Sequence, residues 1–261
     1  MLLGLFLALC SCEKKNDTKL NQELPKPEVN PNTVLWTDFM SDNFNSGWDY
    51  DTEAGNWWWQ SATGINWAIV HSTDITAKGR AEVSRKLTTF NGIDKEVIVK
   101  GKFKMETTAD GFVNDGGWIL QTMAWSFTAP SGKKEYKPLV VARMLKDKLQ
   151  YLVYDYVWDT GGNPIVKPNF PIIKDLLVSP MAGQTIELAL TINLSSSSTG
   201  YVKANLNGAN IASADYFGKT YPSIFPTQNQ QIQWKGGCYS SYYGTNHSKI
   251  GVYYLYTNQL Q

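Results

Sequence analysis

The sequence predicts an all-β protein built as two packed antiparallel sheets, and three observations predict it. Val97-Ile98-Val99-Lys100-Gly101-Lys102-Phe103-Lys104 and Ile186-Glu187-Leu188-Ala189-Leu190-Thr191-Ile192-Asn193-Leu194 alternate apolar with other residues, the period of a strand with one face in a core. Turn signals separate such runs: Asp110-Gly111, Asn114-Asp115-Gly116-Gly117, Gly161-Gly162-Asn163-Pro164 and Asn207-Gly208. No long stretch carries the helical period, and no repeat of roughly 20 to 50 residues is visible. A jelly roll of two sheets is the economical arrangement for such a chain.

From the N-terminus, residues 1 to 12 read as a targeting segment. Met1 to Ala8 are almost wholly apolar and too few to span a bilayer as a helix. Leu9-Cys10-Ser11-Cys12 then has the form of a bacterial lipobox, with Cys12 as the residue that takes the lipid. Residues 13 to 32 are rich in Lys, Asn, Glu and Pro and cannot bury enough apolar area to fold, so they read as a tether. The folded domain is expected over residues 33 to 261.

Within that domain, Asn56-Trp57-Trp58-Trp59-Gln60 places three Trp in succession, which cannot all share one strand face. Trp58, and Trp125 further on, are candidates for a binding platform or for a plug at the edge of the sandwich. Lys100, Lys102 and Lys104 share a face that either lines an anionic channel or is simply solvated. Ser195-Ser196-Ser197-Ser198-Thr199-Gly200 is a loop. His71 and His247 read as solvated loop residues.

Composition fits one secreted domain. At 261 residues and 29.3 kDa the chain is long enough for a sizeable core without disulfides. A net charge of +1 supplies no global field to attract nucleic acid or a membrane surface, so affinity for a polyanion has to come from a local basic cleft. With Cys10 removed and Cys12 acylated, Cys238 is the one thiol left, so no intramolecular disulfide is expected. No His/Cys cluster has metal-ligand spacing, so no metal site is expected.

Three segments carry residues suited to chemistry. In Gln233-Trp234-Lys235-Gly236-Gly237-Cys238-Tyr239, strand alternation puts Lys235, Gly237 and Tyr239 on one face, a cation and a phenol flanking a glycine gap, and Trp234 and Cys238 in the core. Arg80-Ala81-Glu82-Val83 puts a guanidinium and a carboxylate on one face, either a steadied cation or an ordinary surface ion pair. In Trp118-Ile119-Leu120-Gln121-Thr122-Met123 an amide interrupts an apolar run. Gln121 must therefore close a hydrogen-bond network in the core or face a cleft.

In this order, together with Lys137-Pro138-Leu139-Val140, the segments resemble the motif series of polysaccharide lyase family 7, the alginate lyases: R-x-E, Q-x-H, K-P-L-x and Y-x-K-x-G-x-Y. The resemblance spans roughly residues 35 to 261. It departs from the pattern at two positions, with Met123 where the family has His and Gln233 where it has the first Tyr. It implies a concanavalin-like jelly roll and β-elimination on a uronic-acid polymer; with Met123 in place of the His, one Tyr must serve both proton transfers, so polymannuronate is expected to be preferred. It also implies that Arg80 and Gln121 meet the carboxylate charge that develops when the C5 proton leaves. Tyr239 would move that proton to the departing O4. A free Tyr titrates near ~10, so Lys235 on the same face is needed to favour the phenolate.

Glu82, which orients Arg80, together with Trp125, Arg143 and Trp58, completes the residues expected to touch substrate. The 13% aromatic content suits stacking of sugar rings as well as a plain sandwich core, so it decides little. No cofactor is called for. The expected partners are an acidic polysaccharide and, through Cys12, a lipid membrane, not nucleic acid. The chain is expected to be a monomer in the bacterial cell envelope. A glycoside hydrolase would need two carboxylates about 5 Å apart, commonly in an E-x-D-x-x-E run, and none is found. The foremost alternative is a glycan-binding lipoprotein without activity, which would tolerate Met123; a purely structural surface sandwich would leave the clustering of Arg80, Gln121, Lys235 and Tyr239 unexplained.

Overall fold

The computed structural model describes residues 35–38, 49–51, 56–62, 65–71, 79–87, 95–105, 117–227, 231–240 and 247–259. Cys12, the tether of residues 13 to 32 and the turn signal Asp110-Gly111 lie outside the described residues. The strands in chain order are β1 Leu35–Asp38, β2 Asp49–Asp51, β3 Asn56–Ala62, β4 Ile65–His71, β5 Gly79–Leu87, β6 Lys95–Met105, β7 Gly117–Thr128, β8 Lys134–Met144 and β9 Lys148–Val153. There follow β10 Tyr156–Trp158, β11 Pro164–Val166, β12 Ile172–Val178, β13 Thr185–Leu194, β14 Tyr201–Leu206, β15 Ala209–Asn210, β16 Tyr216–Phe217, β17 Gln231–Ser240 and β18 His247–Gln259. One 3-10 turn, Ala212–Ala214, is the only helical element among the described residues.

These strands form the antiparallel sandwich that the sequence predicts. A seven-stranded sheet runs β12-β9-β8-β7-β17-β5-β2. A nine-stranded sheet runs β15-β14-β13-β6-β18-β4-β3, with β1 added to β18 and β16 to β14. β10 and β11 form a separate hairpin.

The alternation read from the sequence is the alternation of the nine-stranded sheet. Ile186, Leu188, Leu190, Ile192 and Leu194 of β13, and Val97, Val99, Phe103 and Met105 of β6, are buried in the core. Asn207 and Gly208 form the two-residue turn between β14 and β15, both with positive φ, 51° and 85°. That is the turn whose twist matches the flanking strands. In β18 the pattern slips, because Ile250 and Val252 are buried and the next buried apolar residue is Leu255. A register shift between Val252 and Tyr254 absorbs the extra residue.

Leu255 fixes how the two sheets meet. A Cβ on Gly236 of β17 would lie 2.5 Å from its Cδ1, and one on Gly101 of β6 would lie 2.4 Å from the Phe103 ring and 2.9 Å from Leu255. The two glycines thus leave room for one leucine between the sheets. This settles which side of β17 faces inward: Trp234, Gly236 and Cys238 do, and Gln233, Lys235, Gly237 and Tyr239 face away from the nine-stranded sheet.

One expectation changes and one choice narrows. His71 and His247 are strand residues in direct register across β4 and β18, not loop residues, because the chain pairs where its polar composition suggests a turn. Lys100, Lys102 and Lys104 belong to β6 of the nine-stranded sheet and are half-exposed, which fits the solvated face of the two readings. Lys100 Nζ lies 2.6 Å from Glu187 Oε1, and Lys102 Nζ sits over the Tyr253 ring at 5.2 Å.

Candidate active site

β17 is hydrogen-bonded on both sides, and its register assembles the site. Lys235 lies between Ser84 of β5 and Gln121 of β7, Gly237 lies opposite Glu82, and Tyr239 lies between Arg80 and Trp118. The side chains on this outer face are nonetheless buried: Glu82 is 0% exposed, Lys235 2%, Gln121 3% and Tyr239 6%. A carboxylate, an ammonium and an amide withdrawn from water are costly unless they meet one another. Gln121 Nε2 donates to Glu82 Oε1 across the strands. A hydrogen bond to a charged group is worth about 1.5–3 kcal/mol, so this one fixes the amide of Gln121 and satisfies one oxygen of the carboxylate.

Of the two fates open to Gln121, the structure shows the hydrogen-bonded one, made on the face turned away from the inter-sheet core. Glu82 is bonded to Gln121; the side chain of Arg80, which the sequence pairs with it, lies outside the described residues, as does that of Trp125 on β7. Trp58 is not brought to this face. It lies on β3, the end strand of the nine-stranded path, because the Trp run pairs with β4.

The second glycine of the motif opens the strand. Against β5 the pairing of β17 runs without interruption, but against β7 it shifts between Gly236 and Tyr239. Gly237 takes φ 135°, a conformation open to glycine and strained for other residues. β7 shifts against β8 at the same level, between Trp118 and Leu120. The two irregularities bring Trp118 to the side of Tyr239, with ring centroids 5.0 Å apart and planes at 53°.

One cross-strand row then runs over six strands: Arg80, Tyr239, Trp118, Arg143, Gln150 and Asp175. Arg143 Nε donates to Gln150 Oε1 at 2.8 Å, and Gln150 Nε2 donates to Asp175 Oδ1. Sequence reading reached Arg143 but missed Gln150 and Asp175, since only register joins residues so far apart in the chain. It also missed Tyr154, whose ring centroid lies 6.3 Å from that of Trp118 and which follows β9 in a run of apolar residues. Burial pushes the Tyr154 phenol up to about 12, with Arg143 pulling the other way and Tyr239 adding to the rise.

The two positions at which the sequence departs from the lyase pattern turn out to be one place. Gln233 and Met123 are direct cross-strand partners, 1% and 8% exposed. A His and a Tyr are absent together from one corner of the site. Among the described residues no group of three or more His, Cys, Asp or Glu side chains gathers to hold a metal.

No protein-family model matches the chain, and no curated protein matches it. Its fold is similar to that of the endo-β-1,4-glucuronan lyase of the fungus Trichoderma reesei, with a TM-score of 0.66 and 16% identity over 87% of this chain and 95% of that one. It is also similar to alginate lyase A1-II', a member of polysaccharide lyase family 7, with a TM-score of 0.53 and 11% identity over 83% and 96% of the two chains. A variant of that lyase in complex with its substrate gives a TM-score of 0.53 at 12% identity over 84% and 96%. At such identities the likeness is one of fold.

The raised pKa of Tyr154 has a consequence for stability. Its phenol titrates at 10.0 when unperturbed and about 12 when folded, so its contribution is complete below pH 10 and is lost as pH rises through about 12. Tyr154→Phe should make the urea midpoint fall less steeply over that window, as followed by fluorescence at successive pH values. Identical slopes would mean that Tyr154 is not buried as described.

Proposed function

We propose that this chain is a polysaccharide lyase that cleaves a uronic-acid polymer by β-elimination, with polymannuronate preferred. The observation that carries the reading is the buried set of Glu82, Gln121, Lys235 and Tyr239 gathered around the Gly237 gap on the outer face of the seven-stranded sheet. A sheet face that withdraws an amide donor, a cation and a phenol from water suits a reaction whose charge develops on a carboxylate. Two enzymes of similar fold support it, since by name they act on glucuronan and on alginate.

In this account Gln121, held by Glu82, donates to the substrate carboxylate, and Arg80 on the same strand face as Glu82 supplies positive charge. Tyr239, as phenolate favoured by Lys235, takes the C5 proton. The electron pair of the C5–H bond forms the C4–C5 double bond, the C4–O4 bond breaks, and the phenol returns the proton to O4. Tyr239 ends as it began, and no oxidant or cofactor enters the balance. Met123 and Gln233 offer no titratable group, so one phenol must serve both transfers. That demands a C5 hydrogen and an O4 on the same side of the ring, as in mannuronate; in guluronate they are on opposite sides.

The same pair favours a second reading. With His and Tyr both replaced at one corner, the site suits retention of a glycan without turnover.

Tyr239→Phe removes only a hydroxyl and should leave polyuronate affinity within a few-fold while turnover falls by about a hundredfold or more, the scale of general acid and base catalysis. Ultraviolet absorbance of the unsaturated product, on polymannuronate and polyguluronate, follows the reaction. Efficient cleavage of polyguluronate would sink the single-phenol mechanism. Binding of either polymer without product would establish the second reading.

We also propose that Cys12 carries a lipid and that residues 13 to 32 tether the domain to the envelope membrane, as supported by Leu9-Cys10-Ser11-Cys12 and the polar composition that follows. Cys12→Ala should move the folded protein from the membrane to the soluble fraction; continued membrane fractionation would count against lipidation.

A further inference from the structure

The cross-strand row that holds Tyr239 does not stop at the reacting group. Beyond Trp118 it continues through Arg143 of β8 to Gln150 of β9 and Asp175 of β12. Neighbouring strands are spaced about 4.8 Å apart, so Arg143 stands about 10 Å from Tyr239 along the row, with the Trp118 ring between them.

Arg143 is half-exposed, and its orientation is set from below. Gln150 is buried, and its amide is fixed at both ends: Nε2 donates to Asp175 Oδ1, which leaves Oε1 to accept from Arg143 Nε at 2.8 Å. An amide in solution can present either end. This one is committed by Asp175 to presenting its acceptor. The bond engages only Nε of the guanidinium. Among the described residues the two terminal nitrogens of Arg143 make no hydrogen bond, and these form the fork that fits a carboxylate in two parallel bonds.

We propose that Arg143, positioned by Gln150 and Asp175, binds a second carboxylate of the polymer, on a sugar displaced from the one at Tyr239 by the width of the Trp118 ring. The inference rests on the polyuronate reading of the site. It makes the outer face of the sheet a ruler: a carboxylate beside Gln121, a sugar face on Trp118 and another carboxylate on Arg143. Selection is then for a run of uronates, and a polymer carrying a single uronate among neutral sugars is disfavoured. Tyr154 stands beside Trp118, is influenced by the charge of Arg143, and keeps its proton at neutral pH, so it adds a neutral donor next to that carboxylate. Gln150 and Asp175 are positioning residues, since they act through Arg143.

The test uses chain length. Affinity of the full domain is measured by calorimetry for uronate oligomers from dimer upward, and for a long oligomer with its carboxyl groups reduced to alcohols. The variants are Arg143→Met and Arg143→Lys, with Gln150→Leu as the change that leaves the arginine in place but unheld. The proposal expects Arg143→Met to weaken long uronate oligomers tenfold or more while leaving the dimer and the reduced oligomer within twofold. Arg143→Lys should recover part of the loss, and Gln150→Leu should show a smaller loss with the same length dependence.

Equal weakening of short and long oligomers would overturn the proposal, and so would no weakening of either. Because binding rather than turnover is read, a wild-type protein that forms no unsaturated product refutes the lyase reading and leaves this inference to its own result. Failure of the wild type to bind any uronate oligomer refutes both.

Discussion

β17 is held between β5 and β7, and the register of that one strand determines everything described about the site. Trp234, Gly236 and Cys238 enter the inter-sheet core, with Gly236 giving way to Leu255. Gln233, Lys235, Gly237 and Tyr239 are thereby committed to the opposite face. Slipping the strand by one residue would drive Lys235 into the core against Leu255 and expose Trp234, a cost of several kcal/mol on either side of the exchange. The core thus dictates which side chains the outer face receives.

The polar set on the outer face draws on that rigidity. A buried carboxylate and ammonium stabilise a fold little in themselves, since the cost of removing them from water offsets their attraction. What they supply is orientation: Glu82 holds Gln121, and the shift at Gly237 turns Tyr239 toward Trp118. A row of groups fixed by strand register suits an extended, regularly repeating ligand, and the same sheet supplies Arg143 and its support farther along. Hydrogen bonding through Gln150 to Asp175 makes that second cation part of the scaffold.

How much of this was legible in the sequence depends on the face concerned. β6 and β13 were legible because one side of each meets solvent, so apolar and polar residues alternate. β8 was legible only through the likeness of Lys137-Pro138-Leu139-Val140 to a lyase motif, because Leu139, Val140, Val141 and Ala142 are buried in succession and the period vanishes. Lys235, Gly237 and Tyr239 could be grouped by parity alone, as could Arg80 and Glu82. The bond from Gln121 to Glu82 joins β7 to β5 across β17, and the row from Arg143 to Asp175 likewise spans three strands; such pairings are set by register. Met123 and Gln233 looked like two separate departures for the same reason. The bulge at Gly237 is marked only by a glycine, which a sequence offers in many places.

The most direct test of the account is the structure of the Tyr239→Phe protein with a uronate oligosaccharide bound. The account predicts a sugar lying along the outer face of the seven-stranded sheet over Gly237, with its carboxylate within hydrogen-bond distance of Gln121 Nε2 and the substituted phenyl ring at position 239 beneath C5. An oligosaccharide seated instead on the lysine and tyrosine face of the nine-stranded sheet, with the cleft beside Gln121 vacant, would contradict it.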